Sequence, residues 1–130
     1  MSLNPNYVTG LAEWAGSFTY SRGKGGLTLY FGIRCTNKDL TLLLKIRDFF
    51  GAGKVYKGGH GLKKWVYFRV NKLGELIKIA KHFEEYPLQG PKQHIFAVWQ
   101  NMVICKRRKL PKDRERILDL AQKLSKLNTA

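Results

Sequence analysis

The sequence predicts an α+β domain in which a four-stranded antiparallel sheet carries helices on one face and leaves a basic face open. Three observations lead there. Apolar residues recur at helical spacing in five stretches, and two pairs of period-two runs lie between the first three of them. The runs within each pair are separated by short glycine-rich segments, as hairpins require. The runs also alternate apolar with polar residues, the pattern of a sheet with one dry side. The order is α-β-β-α-β-β-α followed by further helices, in one domain spanning residues 1–130.

Asn4 or Asn6 offers a cap, and Pro5 suits an early position, for a first helix in which Tyr7, Val8, Leu11 and Ala12 recur at helical spacing until Gly16 stops it. Phe18 and Tyr20 then alternate with Ser17, Thr19 and Ser21 up to a turn at Gly23-Lys24-Gly25-Gly26. In the second strand Leu27, Leu29, Phe31, Ile33 and Cys35 make the apolar side, and Thr28, Tyr30, Gly32, Arg34 and Thr36 the polar one. Asn37 can cap a helix from about Lys38 to Phe50, striped by Leu40, Leu43, Leu44 and Ile46 to Phe50 and closed by Gly51. A second hairpin runs from Lys54-Val55-Tyr56-Lys57 through a loop of Gly58-Gly59-His60-Gly61 into Lys64–Val70. There Val66, Phe68 and Val70 point inward, and Trp65, Tyr67 and Arg69 share the other face. Asn71 can cap a third helix over about Lys72 to Glu85, with Leu73, Leu76, Ile77 and Ala80 inside and a stop at Tyr86-Pro87. Helical spacing resumes at Ile95, Phe96, Val98, Trp99, Met102 and Val103. A last helix from about Lys112 to Leu127 carries Ile117, Leu118, Leu120, Ala121 and Leu124.

The formal charge of +15, from 24 Lys and Arg against 9 Asp and Glu in 130 residues, points to a polyanionic partner. Nucleic acid is the first candidate and a membrane surface the second. No apolar run approaches the roughly 20 residues that span a bilayer, and no secretory leader is recognisable, so an intracellular, non-secreted protein with no membrane partner is expected. Cys35 and Cys105 lack metal-ligand spacing and read as packing residues, and His60, His82 and His94 have no carboxylate or cysteine at ligand spacing. Gly51-Ala52-Gly53-Lys54 lacks the glycine spacing and the following hydroxyl of a phosphate loop, and reads as a turn. Lys106-Arg107-Arg108-Lys109 joins two helices, either as a phosphate contact or as a solvated loop.

The open face is where a ligand is expected. Thr19, Ser21, Lys24, Thr28, Tyr30, Arg34, Thr36, Lys54, Tyr56, Lys57, Trp65, Tyr67 and Arg69 mix cations, hydroxyls and aromatic rings along the solvent side of the strands. Cations neutralise phosphates, and side chains on a β-ribbon reach base edges in the major groove of duplex DNA. The same rings could instead stack single-stranded RNA bases.

Residues Leu3–Phe18 resemble the LAGLIDADG motif of homing endonucleases. Val8-Thr9-Gly10-Leu11-Ala12-Glu13-Trp14-Ala15-Gly16 lies along the motif, and Ser17-Phe18 follows as its usual sequel. Tyr86 to Lys92, followed by Phe96 and Trp99, is similar to the family segment that opens the fourth helix. The resemblance implies the α-β-β-α-β-β-α fold, a sheet laid in the major groove of double-stranded DNA, and Mg²⁺-dependent phosphodiester hydrolysis. It also implies a homodimer paired through the first helix, with Thr9, Gly10, Glu13 and Trp14 on the pairing surface. In the family the acid before the final glycine binds the metal. Here that residue is Ala15, which has no oxygen for a hard cation. No metal ligand or catalytic residue is therefore assigned, although Glu13 and Lys92 are candidates. Glu13 is turned by about 200° from position 15 around the helix, and Lys92 lies where the family often carries a basic residue near the cut strands. Trp14 occupies a place normally held by a small residue, where overpacking costs on the order of 1 to 3 kcal/mol, and it stands against the homodimer. The expectation is a homing-endonuclease-like DNA-binding protein with impaired cleavage. An active Mg²⁺-dependent dimer with its acid elsewhere, and an intron RNA-binding maturase-like role, are the alternatives.

Overall fold

Asn4 starts the first helix as a cap, its side chain accepting from the Asn6 backbone N–H at 2.8 Å, with Pro5 in the first turn. The computed structural model describes residues 3–129. Its elements are α1 (Pro5–Ala15), β1 (Gly16–Gly23), β2 (Gly26–Thr36), α2 (Leu40–Phe50), β3 (Lys54–His60), β4 (Lys63–Val70), α3 (Leu73–Glu85), α4 (Lys92–Arg108) and α5 (Asp113–Thr129). The strands form one antiparallel sheet in the order β1-β2-β4-β3, so β2 and β4 are central.

The apolar side of each strand lies under the helices. Phe18, Phe31, Ile33, Val66 and Phe68 are buried there against Val8 and Ala12 of α1, Leu43 and Ile46 of α2, and the inner faces of α3 and α4. Phe18 is the hub, with its ring 5.0 to 5.2 Å from those of Phe31, Phe83, Phe96 and Trp99. Edge strand β1 is covered along its helical side. Tyr20 Oη meets Ser125 Oγ at 2.7 Å, Asn128 Nδ2 donates to the Phe18 carbonyl at 3.1 Å, and Trp99 Nε1 donates to that of Thr19 at 3.2 Å.

Several boundaries differ from those expected, each for a local reason. Asn37 heads a 3₁₀ turn over Asn37–Asp39 rather than capping α2, which begins at Leu40 with no side-chain cap. Asn71 does not cap α3 either, because Lys72 occupies the cap position, again without a side-chain bond. Strand β3 continues through Gly58 and Gly59 to His60, so the expected four-residue loop shrinks to Gly61-Leu62. Gly59 permits this at φ 96°, since a Cβ there would lie 2.0 Å from the Lys63 carbonyl oxygen. Within α3, Ile79 and Phe83 join Leu76 and Ala80 in the core while Ile77 is half-buried, and in α5 Leu118 is half-exposed. Gly51 ends α2 in the left-handed conformation expected of a C-cap glycine.

His82 is buried among the rings of Phe49, Phe50, Phe83 and Tyr86. Thr9 Oγ1 donates to the Tyr86 carbonyl at 2.8 Å and lies 3.0 Å from His82 Nε2, so the neutral ring donates through Nε2–H to the threonine oxygen. Burial pushes the imidazole down to about 4. Below the ordinary value of 6.5 the unfolded chain binds a proton that the folded chain refuses. Stability is therefore complete above that pH and declines as pH falls from 6.5 towards 4, by roughly 3 kcal/mol in all at about 1.4 kcal/mol per unit. Urea denaturation at a series of pH values should show this decline in the native chain and a much flatter profile in His82→Gln, which keeps a donor without the titration.

Candidate nucleic-acid interface

Strand pairing decides which side chains share the open face. Partners across an antiparallel ladder point the same way, and neighbours along a strand alternate. Thr19 pairs with Tyr30, Ser21 with Thr28, Arg34 with Tyr67, Thr36 with Trp65, Tyr56 with Tyr67, and Lys54 with Arg69, all opposite the buried set. Lys57 leaves this group. It pairs with the buried Val66, so it projects from the helix-bearing side at the exposed sheet edge, whereas Tyr56 beside it keeps the open face. Lys24 stands in the exposed turn between β1 and β2, at the rim of the face rather than on it.

Two glycines shape the middle of this surface. A Cβ at Gly32 would fall 2.4 Å from Tyr67 Oη, and one at Gly58 would fall 2.2 Å from the Trp65 ring. Both aromatic side chains therefore lie across their neighbouring strands over positions without side chains. The Arg34 guanidinium stacks 4.6 Å from the centre of the Trp65 ring, and that of Arg69 3.9 Å from the centre of Tyr30. Burial raises the Tyr67 hydroxyl pKa, with Tyr30 adding to the rise and Arg69 and Arg34 opposing it, so the phenol stays a neutral donor and acceptor. A depression of about 310 Å³ opens above these groups, lined by Ser17, Thr19, Tyr30, Arg34, Trp65 and Tyr67. None of the residues that the pairing places on this face is acidic.

At the carboxyl end of α1 the local chemistry is that of a cation seat already filled by a side chain. Lys92 Nζ donates to the carbonyls of Ala12 at 3.2 Å and Gly16 at 2.6 Å, placing an ammonium on the negative end of the helix dipole. Its burial lowers the pKa and Glu13 works against that shift. Glu13 is tied to a different task. Its Oε1 accepts from the backbone N–H of Gln89 and, at 2.9 Å, of Gly90, bracing the loop before α4. Ala15 contributes no oxygen, and among the described residues no group of three His, Cys, Asp or Glu side chains converges as a metal site. This donor set does not fit a hard divalent cation.

The outward face of α1 is made by Tyr7, Gly10 and Trp14, three positions at helical spacing. Trp14 is 91% exposed beside a cleft lined by Glu13, Gln89, Gly90 and Pro91, and a Cβ on Gly10 would meet nothing within 4 Å. Thr9, expected on this surface, is a correction: it is buried on the other side of the helix, bonded to His82 and Tyr86.

Sequence reasoning missed several anchors. His82 joins the core, Lys106 Nζ donates to the Leu27 carbonyl, and Arg108 pairs with the buried Asp113 at 2.8 Å. Half of the basic run is thus tied into the fold, while Arg107 and Lys109 remain exposed. The interior strand glycines, Gly32 and Gly58, were the available signal for close ring packing, and it went unused.

A one-sided antiparallel sheet with this acid-free face, backed by helices and led by α1, defines a domain of the homing-endonuclease class. The chain belongs to the LAGLIDADG endonuclease family, whose model matches residues 8–103. It is 31% identical over 112 residues to an uncharacterised 50.9 kDa protein in ND4 intron 1 of Podospora anserina, covering 79% of this chain and 24% of that protein. It is 29% identical over 104 residues to a probable intron-encoded endonuclease 3 of Neurospora crassa, covering 75% of this chain and 19% of that protein. The chain therefore spans about a quarter or less of these curated relatives. Among solved structures, the homing endonuclease I-TnaI matches with a TM-score of 0.83 at 27% identity, covering 99% of this chain and 96% of that one. The LAGLIDADG meganuclease I-CpaMI, determined bound to uncleaved DNA, matches with a TM-score of 0.79 at 29% identity, covering 92% of this chain and 43% of that one. The fold and family expected from the sequence both hold. Among the described residues, no helix is long and apolar enough to cross a membrane.

Proposed function

We propose that this chain binds double-stranded DNA with the open face of its sheet in the major groove, and that Ala15 leaves it unable to cut efficiently. The observation that carries the binding reading is the acid-free face of stacked arginines, hydroxyls and aromatic rings on β2 and β4. A β-ribbon of this kind presents donors to base edges while lysines at its margin meet phosphates. The LAGLIDADG meganuclease I-CpaMI was solved bound to uncleaved DNA, which supports DNA as the partner here. The reading of impaired cleavage rests on the α1 terminus, where Ala15 replaces the acid and the Lys92 ammonium already occupies the carbonyl oxygens.

Duplex DNA is favoured over single-stranded RNA by the state of the rings. Trp65 and Tyr30 are already stacked under guanidinium groups, and Tyr67 lies over Gly32, so none of the three is a bare platform waiting for a base. Pairing of two copies through the exposed face of α1, at Tyr7 and Gly10, would join two such faces over one site, and the bulk of the exposed Trp14 works against that approach.

The test compares fluorescence anisotropy of the chain on duplex DNA, on the separated strands and on structured intron RNA, with light scattering of the bound species. The expected result is tightest binding to duplex and no cutting in Mg²⁺, with the scattering mass giving the number of chains on each duplex. Equal or tighter binding to the RNA would replace this reading with the maturase-like one, and efficient cutting in Mg²⁺ would refute the assignment to Ala15.

A further inference from the structure

We propose that Arg34 and Arg69 are paired guanine readers, held in place before DNA arrives by stacking on Trp65 and Tyr30. They would demand two guanines about two base steps apart in the sequence this chain recognises. The inference rests on the duplex-binding reading above and adds to it the identity and spacing of the bases.

Both arginines lie on the central strands, Arg34 on β2 and Arg69 on β4, in the middle of the open face. Lys24 and Lys54, in contrast, belong to a hairpin turn and an edge strand, where phosphates would pass. Neither arginine forms a salt bridge among the described residues, and the face offers no acid to draw them aside. Each guanidinium carbon lies over a ring, at 4.6 Å from the centre of Trp65 and 3.9 Å from that of Tyr30, which restrains where the side chain can swing. In Arg69 the Nε atom is buried without a partner, so the donors left for a ligand are on the terminal nitrogens. A planar fork with two free donors matches two adjacent acceptors. In the major groove guanine supplies that pair, N7 and O6, whereas adenine offers one acceptor and one donor.

The strand pairing sets the spacing. Arg34 pairs with Tyr67, and Arg69 lies two residues further along β4. One strand separation and two residues of rise place the two positions about 8 Å apart. That is a little over two base-pair steps of roughly 3.4 Å.

The experiment is selection from a randomised duplex library, run with the native chain and with Arg34→Ala, Arg69→Ala, Arg34→Lys, Arg69→Lys and Tyr30→Leu. Thermal melts establish that each variant is folded. The native chain should select two guanines at the stated separation, each preferred about tenfold, or about 1.4 kcal/mol. Each alanine variant should lose one guanine and retain the other. The lysine variants should keep most of the affinity without that preference, because an ammonium is not a fork. Tyr30→Leu should relax the same guanine as Arg69→Ala while leaving the arginine in place, which a phosphate contact would not do. If the variants weaken binding uniformly across sequences, or the native chain selects no such pair, the two residues grip the backbone and the inference falls while duplex binding stands. If the native chain fails to prefer duplex at all, the underlying reading falls with it.

Discussion

If this chain binds DNA as proposed, Ala15→Asp is expected to make it nick or cut that DNA in Mg²⁺. Ala15 is the last residue of α1, next to the carbonyls that hold Lys92, so a carboxylate there would sit beside the Lys92 ammonium. It would supply the charged oxygens that a hard divalent ion requires, at a position free of the bracing bonds that hold Glu13 Oε1 on the Gln89-Gly90 backbone. Metal stabilisation of a phosphoryl transition state is worth several kcal/mol, so a gain of at least about 100-fold in strand scission is expected. The measurement is relaxation of supercoiled plasmid carrying a selected site, with and without Mg²⁺. Ala15→Asn, of the same shape but neutral, should stay inactive. Should Ala15→Asp bind DNA as tightly as the native chain and leave the plasmid intact, more than an acid has been lost. Trp14 would then be the next suspect, and Trp14→Ala in the same background should raise both pairing and scission if its bulk holds two copies apart.

Affinity for duplex DNA should fall steeply with salt. A face carrying Lys54, rimmed by Lys24, by Lys57 at the sheet edge and by the exposed Lys63 and Lys64, is built to displace counterions. If roughly five phosphates are neutralised, log K should drop with log salt at a slope near −4.5, a loss of about 500-fold for a fourfold rise in salt. Titrations of one duplex at several salt concentrations give the slope directly. A slope near zero would remove electrostatic contact with the backbone and with it the proposed mode of binding. The slope should also become shallower by about one when Lys54 is replaced by alanine, if that lysine meets a phosphate.

Much of this was legible in the sequence, for a reason that differs from element to element. Period-two alternation in β2 sorted Leu27, Leu29, Phe31 and Ile33 from Thr28, Tyr30 and Arg34, because a half-buried strand must alternate. The same rule, applied strictly, would have separated Tyr56 from Lys57. Short glycine-bearing β3 has a weak apolar pattern, and only its partner β4 shows which way each residue points. Asn37 and Asn71 have the right chemistry for caps, but the chain leaves β2 and β4 along paths that start the helices elsewhere.

By itself the sequence determined the order of the elements, the dry and wet sides of the strands, the family motif and the alanine at position 15. All of these depend on residue type and on spacing along a few turns or strand residues. Only the tertiary structure decided that Thr9 bonds to His82 and Tyr86 instead of facing outward, that Glu13 braces Gly90, and that Lys92 caps α1. It also decided that Gly32 and Gly58 make room for Tyr67 and Trp65. The hydrogen bonds in that set join residues more than 70 positions apart, and such partners are chosen by how the helices pack on the sheet, which local periodicity does not encode.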